Sequence, residues 1–260
     1  MKENKKMYIV LGVALVLVLG IILLVNKKGD SDKEIMNDFY ELLNSRKYEL
    51  LYIAKSDCSY CNMFDNNLNE ITSVQDFKYL KIYIDKILAS SANEIIERLE
   101  ITELATPYIA IIKEGEVVDT FSYVEPNELL EKLKTYNFVD KDLKLDINYL
   151  TLEDYYNLVE SGKKVVIGFS STNNKNSETR LFKNALKEIS KENGIEINYF
   201  ELLFTADEEY KEFLKTFADI ETENIPLLAV FENKKVVDYI NVGTTKEGLQ
   251  TFLKEQKMIK

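Results

Sequence analysis

Cys58 and Cys61 are the only cysteines in a 260-residue chain that contains no histidine. Ser59 and Tyr60 separate them, and the four residues stand where the apolar run LLYIA, Leu50 to Ala54, gives way to a helical pattern. A CxxC opening a helix holds both sulfurs in one turn, where the N-terminal amides favour a thiolate and a short-loop disulfide can open and close. That spacing is suited to a redox switch. The alternative is a pair of inert cysteines packed as small hydrophobes. A structural zinc site is excluded, because such sites take four Cys or His ligands and this chain has two.

The N-terminus carries a second signal. Tyr8 to Val25 is an uninterrupted apolar stretch without charge, and at about 1.5 Å per residue it comes close to spanning a hydrocarbon core of about 30 Å. A cleaved signal peptide is the other reading. The run is longer than the usual apolar region of such peptides, Asn26, Lys27 and Lys28 follow it without a small-x-small cleavage pattern, and it has no lipoprotein cysteine. An uncleaved single-pass anchor is therefore expected. Lys2, Lys5 and Lys6 outweigh Lys27 and Lys28, which are followed by Asp30 and Asp32, so the N-terminus is expected in the cytoplasm and the rest outside. An exported CxxC agrees with this, since disulfides persist in extracytoplasmic compartments.

The composition of the whole chain is that of an ordinary soluble globule on a tether, 46% hydrophobic and 30% charged with a net charge of −11. That acidity argues against a nucleic-acid partner, which needs clustered Lys and Arg. The domain count comes from an internal repeat. PYIAIIKEGEVVD, starting at Pro107, aligns with PLLAVFENKKVVD, starting at Pro226, with the proline, an alanine and the VVD triplet in register. Each copy reads as a strand, a tight turn, a second strand and a closing helix, near Glu125 to Tyr136 and near Thr245 to Lys254. Upstream, Leu50 to Ala54 matches Val165 to Phe169. The second half reads in full: a strand at Leu145 to Tyr149, a helix capped by Thr151 and running to about Glu160, and a strand at Lys164 to Phe169. A helix at Ser177 to Asn193, a strand at Ile195 to Leu202, a helix near Asp207 to Phe217 and the Pro226 hairpin with its last helix complete the order βαβαβαββα. Continuous apolar strands alternating with helices indicate an α/β fold with a mixed sheet covered on both faces.

This order, with a CxxC opening the second helix and a proline opening the penultimate strand, resembles the thioredoxin fold. The resemblance implies two tandem thioredoxin-like domains, residues 31–139 with the CxxC and 140–260 without cysteines, after residues 1–30 as cytoplasmic stub, anchor and linker. It implies a cis bond at Thr106–Pro107, with Ile225–Pro226 a second candidate; a trans proline opening an edge strand is the alternative at both, more so at Pro226. It makes Cys58 the attacking thiolate and Cys61 the resolving thiol. Thr106 and Pro107 line a substrate groove, and Ser59 and Tyr60 help set the redox poise. The disulfide itself is then the only redox group, with no separate cofactor and no metal. Two positions depart from the family. Asp57 replaces the tryptophan before the first cysteine, and its carboxylate should raise the Cys58 thiol pKa, with Lys55 offsetting part of this. Tyr52 stands where thioredoxins keep a buried aspartate as proton acceptor for the second thiol. Ser-Tyr between the cysteines is similar to the Pro-Tyr of glutaredoxins, and LLYIAKSDCSYCNMF resembles thioredoxin-like proteins of bacterial bacteriocin transport and maturation.

Asn173 to Asn176 align with the redox motif in the second half. Without a thiol that half resembles the non-catalytic domains of protein disulfide isomerases, which bind clients; a decayed duplicate kept for spacing is the alternative. The expected function is a membrane-tethered thiol–disulfide oxidoreductase acting on exported proteins, with a redox partner that recycles the pair and a bilayer that holds Tyr8 to Val25. A non-catalytic accessory or chaperone module of a secretion or bacteriocin system, and a redox-sensing anchor, are the competing readings.

Overall fold

The computed structural model describes residues 32–171, 177–202, 212, 214, 215, 220, 226–241 and 245–260. They fall in two compact units. The first comprises the chain up to Asn66, Asp76–Val124 and Tyr136–Phe138; the second comprises Asn67–Gln75, Glu125–Thr135 and Val139–Lys260. Among the described residues no helix is long and apolar enough to cross a membrane. Tyr8 to Val25, Asn173 to Asn176 and most of the helix expected near Asp207 to Phe217 lie outside them.

The first repeat runs α1 (32–43), β1 (Glu49–Ala54), α2 (Ser59–Thr72), β2 (Leu80–Tyr83), α3 (Ala89–Arg98), β3 (Tyr108–Lys113), β4 (Glu116–Phe121) and α4 (Pro126–Thr135). Its sheet has the order β2-β1-β3-β4, with β1 parallel to β2 and antiparallel to β3. β1 is apolar at nearly every position because both of its faces are covered. Leu51, Ile53, Ile82, Ala110 and Ile112 form one face, under Met36, Phe39 and Leu42 of α1, Ile95 of α3 and Leu99, which follows α3. Tyr52 points the other way and meets Phe64 of α2 edge to face at 5.0 Å.

The second repeat adds β5 (Asn148–Tyr149), α5 (Leu152–Glu160), β6 (Val165–Ser171), α6 (Ser177–Asn193), β7 (Asn198–Leu202), β8 (Leu227–Glu232), β9 (Lys235–Asn241) and α7 (Lys246–Glu255). Its sheet has the order β5-β7-β6-β8-β9. Thr151 caps α5 through a full capping box with Asp154, as its sequence position implies, and Thr245 caps α7. β5 is shorter than the strand expected from Leu145, and β7 begins at Asn198 instead of Ile195. A relay of amides crosses this unit: Asn127 donates to Asn148 Oδ1 at 2.7 Å, Asn148 to Asn198 Oδ1 at 2.9 Å, and Asn198 to the Val166 carbonyl at 3.2 Å. α4 thereby joins β5, β7 and β6 in one partly buried polar network.

The repeat persists into backbone detail. Both hairpins close with a two-residue loop in which each residue has positive φ, Glu114 and Gly115 in the first, Asn233 and Lys234 in the second. That is the turn whose twist matches paired strands. Each hairpin also carries a bulge at the same place, between Ile111 and Ile112 and between Val230 and Phe231. The match of Leu50 with Val165 is corrected by one residue. Glu49 pairs with Ile112 and Val165 with Phe231, the equivalent hairpin positions, so Val165 takes the place of Glu49. An all-apolar strand has no alternation to fix its phase, and a one-residue slip exchanges its faces.

In the corrected register Gly168 takes the place of Tyr52. A Cβ on Gly168 would sit 2.7 Å from Leu186 Cδ1 and 3.0 Å from Tyr199 Cδ2. The tyrosine has moved to the neighbouring strand, and its ring fills the space. Gly168→Ala should therefore lower stability by about 1–3 kcal/mol through overpacking, read as a lower denaturant midpoint; an unchanged midpoint would show that Leu186 and Tyr199 yield freely.

Candidate active site

The turn after β1 is built by two crossed restraints. The Ser56 amide donates to Asp85 Oδ1 at 3.1 Å, and its hydroxyl donates to the other carboxylate oxygen. These bonds hold the Asp85 carboxyl below the usual range. The Ile84 amide donates to the Ala54 carbonyl at 2.9 Å, so the loops leaving β1 and β2 run side by side. α2 then starts at Ser59, with Cys58 as the residue before it.

Cys58 and Cys61 are joined by a disulfide, with Cα atoms 5.2 Å apart. The Cys61 amide donates to Cys58 Sγ at 3.0 Å, and the Asn62 amide donates to the Cys58 carbonyl at 3.2 Å. Cys58 thus occupies the cap of α2, its sulfur accepting the bond that a serine or aspartate oxygen normally takes there. The two sulfurs are unequal. Cys58 is half-buried, whereas Cys61 is 2% exposed.

The Thr106–Pro107 peptide bond is cis, as expected, and Pro107 is buried. The Thr106 carbonyl oxygen lies 3.4 Å from Cys58 Sγ. At Pro226 the preceding residue, Ile225, lies outside the described residues. Asp57, Lys55, Ser59 and Tyr60 are exposed. Water screens the charges of Asp57 and Lys55 strongly at such positions. The Tyr60 ring is 53% exposed and stands 6.1 Å from the Tyr123 ring.

Tyr52 is fully buried and donates its hydroxyl to the Cys61 carbonyl at 3.0 Å. Burial, and after it the Asp65 carboxylate, push this phenol well above the ordinary tyrosine value. It stays protonated and cannot accept a proton from Cys61 as a carboxylate would. Asp65 pairs with Lys81 through both oxygens, at 2.5 and 2.7 Å, and the Lys81 ammonium lies over the Tyr52 ring at 4.9 Å and the Tyr83 ring at 4.5 Å. Burial works against that ammonium, but Asp65 and Tyr83 outweigh it and hold it above the usual lysine value. Sequence reasoning did not pick out Ser56, Asp65, Lys81, Asp85 or Tyr123. Their partners are mostly distant in the chain, so no local pattern marks them.

The second unit has a different polar centre. Lys183 of α6 bonds Glu201 at 3.1 Å, lies 3.9 Å from Glu70, and stands over the rings of Tyr199 at 4.9 Å and Tyr149 at 5.4 Å. Burial lowers its proton affinity, but Tyr199, Glu201 and Glu70 reverse this and keep the lysine charged.

The strand orders, the doubled hairpin with its bulge, and the CxxC facing a cis-proline decide the architecture. The fold is thioredoxin-like. Solved thioredoxins are similar to the chain. Malassezia sympodialis thioredoxin is 17% identical over 38% of this chain and 84% of its own, with a TM-score of 0.32. The oxidised mitochondrial thioredoxin 3 of Saccharomyces cerevisiae is 20% identical over 38% and 89%, at 0.31, and Chlamydomonas reinhardtii thioredoxin f2 is 15% identical over 44% and 99%, at 0.35. No protein-family model matches the sequence, and comparison with curated proteins finds no match.

The raised pKa of Tyr52 means that the folded state holds this proton more tightly, so its contribution is complete below about pH 10, the unfolded tyrosine value, and is lost as pH rises towards the folded value. Tyr52→Phe should cost about 1 kcal/mol at neutral pH, and that deficit should shrink above pH 10. Denaturant midpoints followed by circular dichroism measure both; a deficit that is constant with pH would show that the phenol does not titrate with unfolding.

Proposed function

We propose that the chain is a protein thiol–disulfide oxidoreductase working through a Cys58/Cys61 dithiol–disulfide cycle, tethered to a membrane by Tyr8 to Val25 with both repeats on the extracytoplasmic side. The observation that carries this reading is the asymmetry of the pair. A half-buried Cys58 sulfur sits on the amides of a helix N-terminus, and its disulfide partner is buried one turn inward.

In the oxidised state a client thiolate attacks Cys58 Sγ. The Cys58–Cys61 bond breaks, Cys61 leaves as a thiolate, and client and protein are joined by a mixed disulfide. A second client thiolate attacks the client sulfur of that bond, Cys58 leaves as a thiolate, and two electrons have passed from client to protein. The same steps reversed reduce a client disulfide, with Cys58 attacking and Cys61 resolving. The direction follows from the potentials of the client and of the redox partner that recycles the pair. The Cys61 amide and the α2 N-terminus favour the negative Cys58 sulfur by about 0.3–1 kcal/mol, which aids its departure in one direction and its formation in the other. Thr106 and Pro107 border the sulfur, where the Thr106 backbone can pair with an extended client segment, and Ser59 and Tyr60 form the exposed rim that tunes the pair. The second repeat, lacking thiols, serves as a client-binding or spacing domain.

Cys61→Ser should leave an attacking thiol that cannot be released, so clients accumulate as mixed disulfides, and Cys58→Ser should trap at least about tenfold fewer because Cys61 is buried and lies inside the helix. Non-reducing electrophoresis decides this. Equal trapping by both variants, or none by either, removes Cys58 from its role. Topology is tested separately: a membrane-impermeant thiol reagent should label Cys58 on intact, reduced cells, and labelling only after lysis sinks the extracytoplasmic placement.

A further inference from the structure

The first described residue, Asp32, is held firmly. Its carboxylate accepts the Leu88 amide at 2.7 Å and the Ser91 hydroxyl at 2.5 Å, and the residue is 5% exposed. Leu88 precedes α3 and offers no side-chain cap of its own. Asp32 therefore supplies, from far away in the sequence, acceptors that this helix N-terminus lacks.

The strand directions say where that clamp lies. β1 and β2 are parallel, so α2 and α3, which follow them, both begin at the same end of the sheet. Ile84 bonded to Ala54, and Ser56 bonded to Asp85, confirm that the two exits adjoin. Cys58 starts α2, and Asp32 caps α3. The chain thus enters the first unit at the end of the sheet that carries the disulfide. Upstream, only residues 26–31 lie between Asp32 and Val25, the last residue of the uncharged apolar stretch. Fully extended at ~3.5 Å per residue, that span reaches about 25 Å. The same end exposes Tyr60, at 53%, and Leu88, at 40%. Aromatic and apolar side chains of this kind suit the interfacial layer of a bilayer.

We infer that the Cys58 end of the sheet faces the bilayer, and that the preferred clients are membrane proteins whose cysteines lie in segments close to the membrane surface, not freely diffusing exported proteins. The inference rests on the tether and the exchange chemistry proposed above. A short tether fixed to a clamped residue keeps Cys58 near the surface, where a client confined to the same membrane meets it at high effective concentration.

The test uses full-length Cys61→Ser protein in phosphatidylcholine–phosphatidylglycerol vesicles, with transmembrane peptides that carry one cysteine as a mixed disulfide with thionitrobenzoate. Cys58 thiolate attacks the peptide sulfur, the peptide–Cys58 disulfide forms, and thionitrobenzoate leaves as the coloured product. The peptide cysteine stands either at the bilayer surface or at the end of a polyproline rod of about 20 residues, ~60 Å long. The surface cysteine should react at least about tenfold faster. Inserting about thirty Gly and Ser residues after Gly29 should bring the ratio close to one, while the rate with the same activated cysteine on a soluble peptide stays unchanged. A ratio near one without the insertion overturns the inference and leaves thiol exchange standing. No reaction with any peptide, soluble or membrane-bound, overturns the exchange reading and the inference with it. Failure to co-float with the vesicles does the same for the tether.

Discussion

Two parallel neighbouring strands force the chain back to the same end of the sheet before each begins, and the helices that follow them must start together at the opposite end. In the first repeat this constraint decides nearly everything about the candidate site. It brings the exits of β1 and β2 side by side, where Ser56 and Asp85 can bond although they are distant in sequence. It sets the N-termini of α2 and α3 at one end, one capped by the sulfur of Cys58 and the other by the carboxylate of Asp32. The antiparallel β3, paired to β1, begins just after Pro107, which brings the Thr106 carbonyl to the same sulfur. At the start of α2 the helix N-terminus and the facing Thr106 carbonyl meet at one sulfur.

Beneath the pair lies a layer that is structural in effect and electrostatic in kind. Tyr52 holds the Cys61 carbonyl from below, and its ring carries the Lys81 ammonium, which Asp65 neutralises. A cation this close to the core persists because it has a carboxylate on one side and aromatic faces on the other. The second repeat solves the same problem with different positions. Gly168 replaces Tyr52, Tyr199 supplies the ring from the next strand, and Lys183 supplies the cation from the helix. The scaffold, down to its hairpin bulge, is common to both repeats, while the residues under the helix have been rearranged and the thiols are confined to one.

Sequence alone carried the repeat, the hairpins at Pro107 and Pro226, the Thr151 cap, the helix from Ser177 to Asn193, and the cysteine pair. These are local signals: a short motif, a cap, a tight turn or an apolar period that the chain enforces over a few residues. Tertiary structure alone decided the phase of β1 against β6, because an all-apolar strand carries no alternation to set it. It also decided that Tyr52 donates to a carbonyl and stays protonated, since its pKa depends on burial and on Asp65. Asp32, Asp85 and Lys81 acquire their roles in the same way. Each is an ordinary charged residue in sequence, and each acquires its partner only when the parallel pairing of β1 and β2 brings distant segments together.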